Sequence, residues 1–311
     1  MRRAVSPARG ARAFVALALA PLALAASILA VASPAAALTV RDMLGREVTL
    51  PAAPQRIVSL VPSVSEIVFA LGGQARLVGR TDFCDYPPAV LGKPSVGGMV
   101  NPNLESLVTL KPDLVFATDE GNREDTIRQL ERLRIPVYLV HADRIAETVE
   151  LITRVGTLTE RSAEAPRVIA EMQRRIENVR RAVAPFPRRR VLYVLWPDPL
   201  IVPGRASMLT ELIEVAGGTS ITATDGDAYP RFSLEAAVAR APEVIILADH
   251  STGASTAGRA APEKWKRLTS VPAIQAGQLY SADLSILHRY GPRVPDGIET
   301  LARFIHPEAF R

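Results

Sequence analysis

The residues able to carry chemistry are few and scattered. The four histidines, His141, His250, His288 and His306, lie far apart and show no zinc-ligand spacing. Asp225, Asp227 and Asp249 offer carboxylates for acid–base work, but nothing pairs them with a nucleophile. The chain has no G-x-S-x-G elbow, P-loop, H-E-x-x-H or G-x-G-x-x-G. What remains is suited to recognition: aromatic and charged residues in loops that follow apolar runs. Phe83 and Tyr86 follow Leu77-Val78, and Met99 lies in the next loop. Trp196, one of two tryptophans, stands between the run Val191 to Leu195 and Pro197. Tyr229 precedes a helix beginning at Leu234, and Asp283 and Arg289 follow Tyr280. In open parallel sheets, ligands sit outside the carboxyl ends of the strands, where these loops would lie. His288 is the one histidine placed near such a site. Cys84, the only cysteine, leaves no internal disulfide to form and reads as packing beside Phe83.

The elements that must position these residues repeat in outline. LESLVTLKPDLVFATDEG starts at Leu104, and LEAAVARAPEVIILADHS starts 130 positions later, at Leu234. Val108/Val238, Pro112/Pro242 and Asp119/Asp249 coincide as well. A second pair agrees in the same order: RIVSLVPSVSEIVFALGG from Arg56, and RVLYVLWP from Arg190 leading on to ELIEVAGG. Two pairs in one order predict two lobes of like build with a cleft between them.

Short apolar runs alternate with helical patterns. The mature start reads as a hairpin: Thr39-Val40, a turn at Met43 to Gly45, then Val48 to Leu50. Strands are expected at 57–60, 77–79, 114–117, 137–140, 191–195, 244–247 and 278–280. Helices are expected from Ser63 or Ser65 to Gly72, and over 104–110, 124–133, 208–215, 234–240 and 295–304. Residues 83–100, rich in Pro and Gly, and 251–260, rich in small residues, read as loops. Strands alternating with helices of about ten residues mean parallel sheets covered on both faces. From Ser162 to Ala184, Val168, Ile169, Met172, Ile176, Val179 and Val183 recur at helical spacing, with Pro166 in the first turn. A helix of that length spans a domain, and its position between the repeat halves makes it the bridge. The fold class is therefore α/β: two Rossmann-like lobes with mainly parallel sheets joined by one long backbone helix.

The first 37 residues stand outside that fold. They combine Arg2, Arg3, Arg9 and Arg12, an Ala/Leu-rich run and Ala35-Ala36-Ala37, the pattern of a secretory signal peptide. Pro21 and the small-residue end favour cleavage over a retained membrane anchor, and no Cys follows to take a lipid. Removing this segment lowers the formal charge from +5 to +1, and no basic stripe with interleaved aromatics speaks for nucleic acid. The expected organisation is a signal peptide over 1–37, a first α/β lobe over 38–160, the backbone helix over 161–187 and a second α/β lobe over 188–311.

The stretches RIVSLVPSVSEIVFALGG, VGRTDFCDYPP, NLESLVTLKPDLVFA and GNREDTIRQLERLRIPVYLV resemble the periplasmic cobalamin-binding proteins of ABC importers. More broadly, the chain is similar to the haem- and iron-siderophore-binding proteins. The resemblance extends over nearly all the mature chain and is strongest from Arg56 to Val140. It implies two α/β lobes, a backbone helix and a ligand between the lobes. Cobalamin binders have a tyrosine at the position of Phe83, a tryptophan at Met99 and a tryptophan at Tyr229, and an Asp and Arg resembling Asp283 and Arg289. In haem-binding relatives a tyrosine before proline ligates iron, a role that Tyr86-Pro87 would fill. The resemblance also implies that Glu105 and Glu235 dock onto arginines of a membrane permease dimer.

The reading that follows is a monomeric periplasmic solute-binding protein, not an enzyme. It captures a corrinoid, cobalamin above others, with no cofactor or metal of its own, no nucleic acid partner, and delivery to an ABC permease. Haem or a ferric siderophore is the second reading, and a two-lobed enzyme with its site in the same cleft is the third.

Overall fold

The computed structural model describes residues 38–249 and 261–311. The expected signal segment and the whole of the expected loop at 251–260, with His250 beside it, lie outside the described residues. The strands are β1 (Leu38–Arg41), β2 (Glu47–Leu50), β3 (Ile57–Ser59), β4 (Leu77–Arg80), β5 (Leu114–Thr118), β6 (Val137–Val140), β7 (Arg189–Val194), β8 (Trp196–Pro197), β9 (Leu200–Ile201), β10 (Gly218–Ser220), β11 (Val244–Asp249) and β12 (Leu279–Asp283). The helices are α1 (Pro62–Ala70), α2 (Leu104–Thr109), α3 (Glu124–Arg132), α4 (Ile145–Leu158), α5 (Ala165–Val183), α6 (Met208–Val215), α7 (Leu234–Ala239), α8 (Ala261–Lys266), α9 (Pro272–Gln275), α10 (Leu284–Leu287) and α11 (Val294–Ile305).

Two parallel four-stranded sheets organise the chain, in the orders β4-β3-β5-β6 and β10-β7-β11-β12. The orders correspond strand for strand, so the sequence repeat is a repeat of structure. Its details agree. Asn103 caps α2 by accepting from Ser106 N at 2.9 Å, and Ser233 caps α7 by accepting from Ala236 N at 3.0 Å. Lys111 and Ala241, 130 positions apart, both take the left-handed backbone (φ 48° and 46°) that stops these helices. The backbone N–H of Arg56 donates to Asp113 and that of Arg190 to Glu243, each at 2.9 Å.

Both sheet faces are covered. In β5, Leu114 and Phe116 face the central core, while Val115 and Ala117 face an outer cluster with Ile127 and Leu130 of α3. In β11, Ile246 faces the centre, and Ile245 and Leu247 face an outer cluster with Trp265. This two-sided burial is why these strands read as unbroken apolar runs.

The bridge helix starts later than the periodicity predicts, at Ala165, with Pro166 in its first turn. Its 19 residues run about 28 Å. Val168, Met172, Ile176, Val179 and Val183 form its buried stripe. That stripe belongs to one contiguous core containing residues of both sheets, Phe116 and Tyr138 on one side and Val191 and Tyr193 on the other. The helix expected to be capped by Ser63 or Ser65 instead begins at Pro62. Val61 stands at its cap, and both serines lie inside it. Helix α4 and strand β10 lie in stretches that the sequence left unassigned, and the β8–β9 hairpin takes up Trp196.

A shared core predicts shared unfolding. Met172 is 2% exposed, and Met172→Ala should cost about 2–5 kcal/mol through the lost contacts and the cavity left behind. Denaturant curves followed by tryptophan fluorescence and by far-ultraviolet circular dichroism should shift together and stay coincident. Separate transitions would show that the lobes are energetically independent.

Candidate functional site

The parallel sheets present their carboxyl ends to a cavity of about 730 Å³. From the first lobe it is lined by Val61, Pro62 and Ser63 after β3, by Asp82, Phe83 and Asp85 after β4, by Thr118 and Glu120 at the end of β5, and by Val140, His141 and Ala142 after β6. The second lobe contributes Leu284, Ser285, His288, Arg289 and Tyr290 after β12. With Leu151 of α4, Met99 completes the wall. Its position has a local cause: Asn122, buried after β5, accepts from Thr118 N at 2.8 Å and donates to Met99 O at 2.7 Å. Gly121 leaves space for the Met99 side chain, whose methyl would lie 2.5 Å from any Cβ there.

Of the residues singled out from sequence, Phe83, Met99 and Arg289 line the cavity, as does His288, the histidine expected near it; His141, not expected there, lines it too. Phe83 is 55% exposed, an apolar ring held open to solvent at the cavity wall. Tyr86, Trp196, Tyr229 and Asp283 are not among the lining residues. The Tyr86 ring lies under the Arg293 guanidinium, 4.0 Å from centroid to Cζ. Trp196 sits in the β8–β9 hairpin, where its indole N–H donates to Asp198 O at 3.0 Å. Tyr229 supports the wall from behind through a hydroxyl contact of 3.0 Å with Tyr290. Asp283 ends β12 and caps α10 by accepting from Ser285 N at 2.7 Å, so its carboxylate is used locally. Glu105 and Glu235 occupy the first turns of α2 and α7, both exposed and both in repeat-equivalent positions.

Two charge clusters were not singled out from the sequence. The first joins the lobes. Glu66 of α1, its side chain 2% exposed, accepts two bonds from Arg293 at 2.6 and 2.9 Å and lies 3.8 Å from Arg289. Arg289 in turn pairs with both oxygens of Asp85. Burial raises the Glu66 carboxyl above its usual range, with the Arg293 and Arg289 charges opposing. The Arg289 hydrogen bond, against some burial, holds Asp85 below its usual range.

The second cluster lies at the ends of β5 and β6. The register pairs Thr118 with Val140, so Asp119 and His141 leave the sheet side by side. His141 Nδ1 is 3.2 Å from Asp119 Oδ1, and Nε2 is 3.0 Å from Asp143 Oδ2. Burial disfavours the imidazolium, but the Asp119 bond and the Asp143 and Glu120 charges outweigh it and raise the His141 pKa. Glu120 is exposed by area, yet its carboxylate sits among other carboxylates in the cleft. Desolvation first, then the Asp143 charge, pushes it up to about 7. Behind this wall, Tyr193 donates to or accepts from His288 at 2.9 Å, and burial raises the phenols of Tyr193, Tyr229 and Tyr290.

The periplasmic binding protein family matches residues 57–284, and the chain belongs to it. A vitamin B12-binding protein of Vibrio cholerae serotype O1 is 28% identical over 258 residues, covering 82% of this chain and 90% of the relative. The crystal structure of the periplasmic vitamin B12-binding protein BtuF of Vibrio cholerae superposes with a TM-score of 0.68 at 26% identity, covering 83% of this chain and 99% of that one. The periplasmic haem-binding protein BhuT, in complex with two haems, superposes with a TM-score of 0.72 at 28% identity, covering 82% and 98%. These relatives are named for the solutes they bind and not for a reaction, which sets the two-lobed enzyme aside. Among the described residues, no helix is long and apolar enough to cross a membrane.

The inter-lobe ion cluster yields a stability prediction. Arg293→Ala strands the buried Glu66 carboxylate and should cost about 3–5 kcal/mol. The Glu66 pKa, already raised in the fold, would rise further, so the folded state holds the proton more tightly than the unfolded chain. The penalty should be full above the folded pKa and vanish as pH falls toward the ordinary glutamate value. Thermal melts from pH 8 down to pH 4.5 should show the variant approaching the parent. A constant gap would mean that Glu66 does not titrate in this window.

Proposed function

We propose that this chain captures a corrinoid, cobalamin or a close analogue, in the inter-lobe cavity in the periplasm and delivers it to the permease of an ABC importer. The observation that carries the choice of ligand is the charge of the cavity wall. Asp82, Asp85 and Glu120 line it, and Arg289 is the single lysine or arginine among the described lining residues, already paired with Asp85. A corrinoid presents a rim of primary amides, whose N–H groups suit carboxylate acceptors. Haem presents two carboxylates and would meet a wall of its own sign. The Phe83 ring and the Met99 thioether supply apolar contact for a macrocycle face. The similarity to vitamin B12-binding proteins over most of both chains supports the same ligand. Haem is the second reading, favoured by the likeness to BhuT. Against it stands Tyr86, which is not among the residues lining the cavity.

The exposed, repeat-related Glu105 and Glu235 support docking of one lobe to each half of a permease dimer. As first-turn acids each also favours its own helix by about 0.3–1 kcal/mol. Both roles are compatible at a solvent-facing helix end.

Calorimetry on the mature chain should show cyanocobalamin and cobinamide binding with a raised melting temperature, and haemin binding more weakly. Phe83→Ala should weaken corrinoid binding about tenfold, or about 1.4 kcal/mol. Tyr86→Phe should leave it within about twofold, a shift of about 0.4 kcal/mol. Tight haemin binding with a ferric–phenolate band that disappears in Tyr86→Phe would reverse the ligand assignment.

Delivery is tested separately. Glu105→Arg with Glu235→Arg should preserve corrinoid affinity and stop uptake into vesicles carrying the importer, since loss of a charge-assisted interface pair costs on the order of 2–5 kcal/mol. Each single change should give a partial defect. Full transport by the double variant would remove the docking role.

A further inference from the structure

We propose that Glu120, His141 and Asp143 form a binding site for a divalent first-row transition cation on the first-lobe wall of the cleft. Their ligand atoms lie within 4.8 Å of one another. They come from the carboxyl ends of two adjacent parallel strands, which the Thr118–Val140 register holds in line. A cation about 2.0–2.2 Å from each donor needs donor separations below about 4.4 Å, so small side-chain rotations close the set.

The imidazole makes this more than a group of acids. His141 Nδ1 faces Asp119 at 3.2 Å, and Nε2 faces the Asp143 carboxylate at 3.0 Å. A proton on Nε2 bridges the second contact in the metal-free protein. A divalent cation would displace that proton, leaving Nδ1–H donating to Asp119. A carboxylate behind a ligating imidazole is the usual support for a metal-bound histidine, setting its tautomer and orientation. The charge is also unbalanced. Among the described residues, no lysine or arginine pairs with Asp119, Glu120 or Asp143, although Glu147 lies close by, accepting from Asp143 N. One imidazole nitrogen with two carboxylates suits zinc, cobalt or nickel better than the all-oxygen shell of calcium or magnesium. Glu120 and His141 line the cavity, so the remaining coordination positions open toward water or a cleft ligand.

The site does not depend on the corrinoid reading. The test uses the mature protein, dialysed against chelator and free of cleft ligand, titrated with ZnCl2 and with CoCl2. One ion per chain should bind at micromolar concentration or tighter, with a visible cobalt d–d band. His141→Ala and Asp143→Asn should each weaken binding at least tenfold and remove or shift that band. Asp119→Ala, which takes away only the support behind the ring, should weaken it about 10- to 100-fold. Unchanged melting temperatures without metal would show that the variants are folded. Binding no tighter than millimolar, or binding indifferent to His141→Ala, would overturn the site. A cobinamide titration of the same metal-free protein reads the corrinoid assignment alone, so either proposal can fail while the other stands.

Discussion

The buried stripe of the long helix is the constraint on which the rest of the structure rests. Each parallel sheet has two apolar faces, and each lobe covers its outer face with helices of its own. The inner faces are covered in common. Val168, Met172, Ile176, Val179 and Val183 pack within the same core as Phe116 and Tyr138 of one sheet and Val191 and Tyr193 of the other. Moving one lobe against the other would open that core, at the cost of well-packed contacts. The carboxyl ends of the two sheets are therefore held facing a common cavity, and the ion cluster of Glu66, Arg289, Arg293 and Asp85 fastens the lobes again at the cavity edge. A binding protein built this way selects its ligand through a wall that is largely formed before the ligand arrives.

The lobe architecture was legible because it is written twice. Apolar runs bounded by Pro and Gly gave the core strands, and repetition at 130 positions gave their equivalence down to the left-handed residues Lys111 and Ala241. Where only one copy carried the signal, the reading was poorer. Helix α5 begins at Ala165, three residues after the expected Ser162, with Pro166 in its first turn. Strand β10 is only three residues long, Gly218–Ser220, and its pairing with β7 owes nothing to local pattern.

The site was legible in part, and the reason is geometric. A residue after a strand reaches the carboxyl edge of the sheet, but the next turn decides where its side chain points. Phe83, Met99 and Arg289 face the cavity. Trp196 enters a hairpin, Asp283 turns back to cap a helix and Tyr229 stands one layer behind. The charge pairs that define the cavity were beyond sequence reasoning, since Arg289 and Asp85 are 204 positions apart and Arg293 and Glu66 are 227 apart. His141 is different. It follows Val137–Val140 directly, and Asp119 follows the neighbouring strand, so the strand order alone would have paired them.

These placements give the two lobes unequal parts. The first lobe carries Asp82, Asp85, Glu120 and the His141 cluster, while the second supplies Arg289 and a layer of aromatic hydroxyls and imidazole in Tyr193, His288, Tyr290 and Tyr229. The carboxylates of the first wall accept, and the arginine of the second is already committed across the cleft. A ligand entering between them is therefore met by carboxylates on one side and by His288, Arg289 and Tyr290 on the other. Neutral, amide-rimmed or cationic surfaces are favoured there, and polyanions must first break the Arg289–Asp85 pair. The family fold is common to proteins named for quite different solutes. In this chain, the strand ends deliver Asp82, Asp85 and Glu120 to one wall, the feature on which the proposed choice of ligand rests.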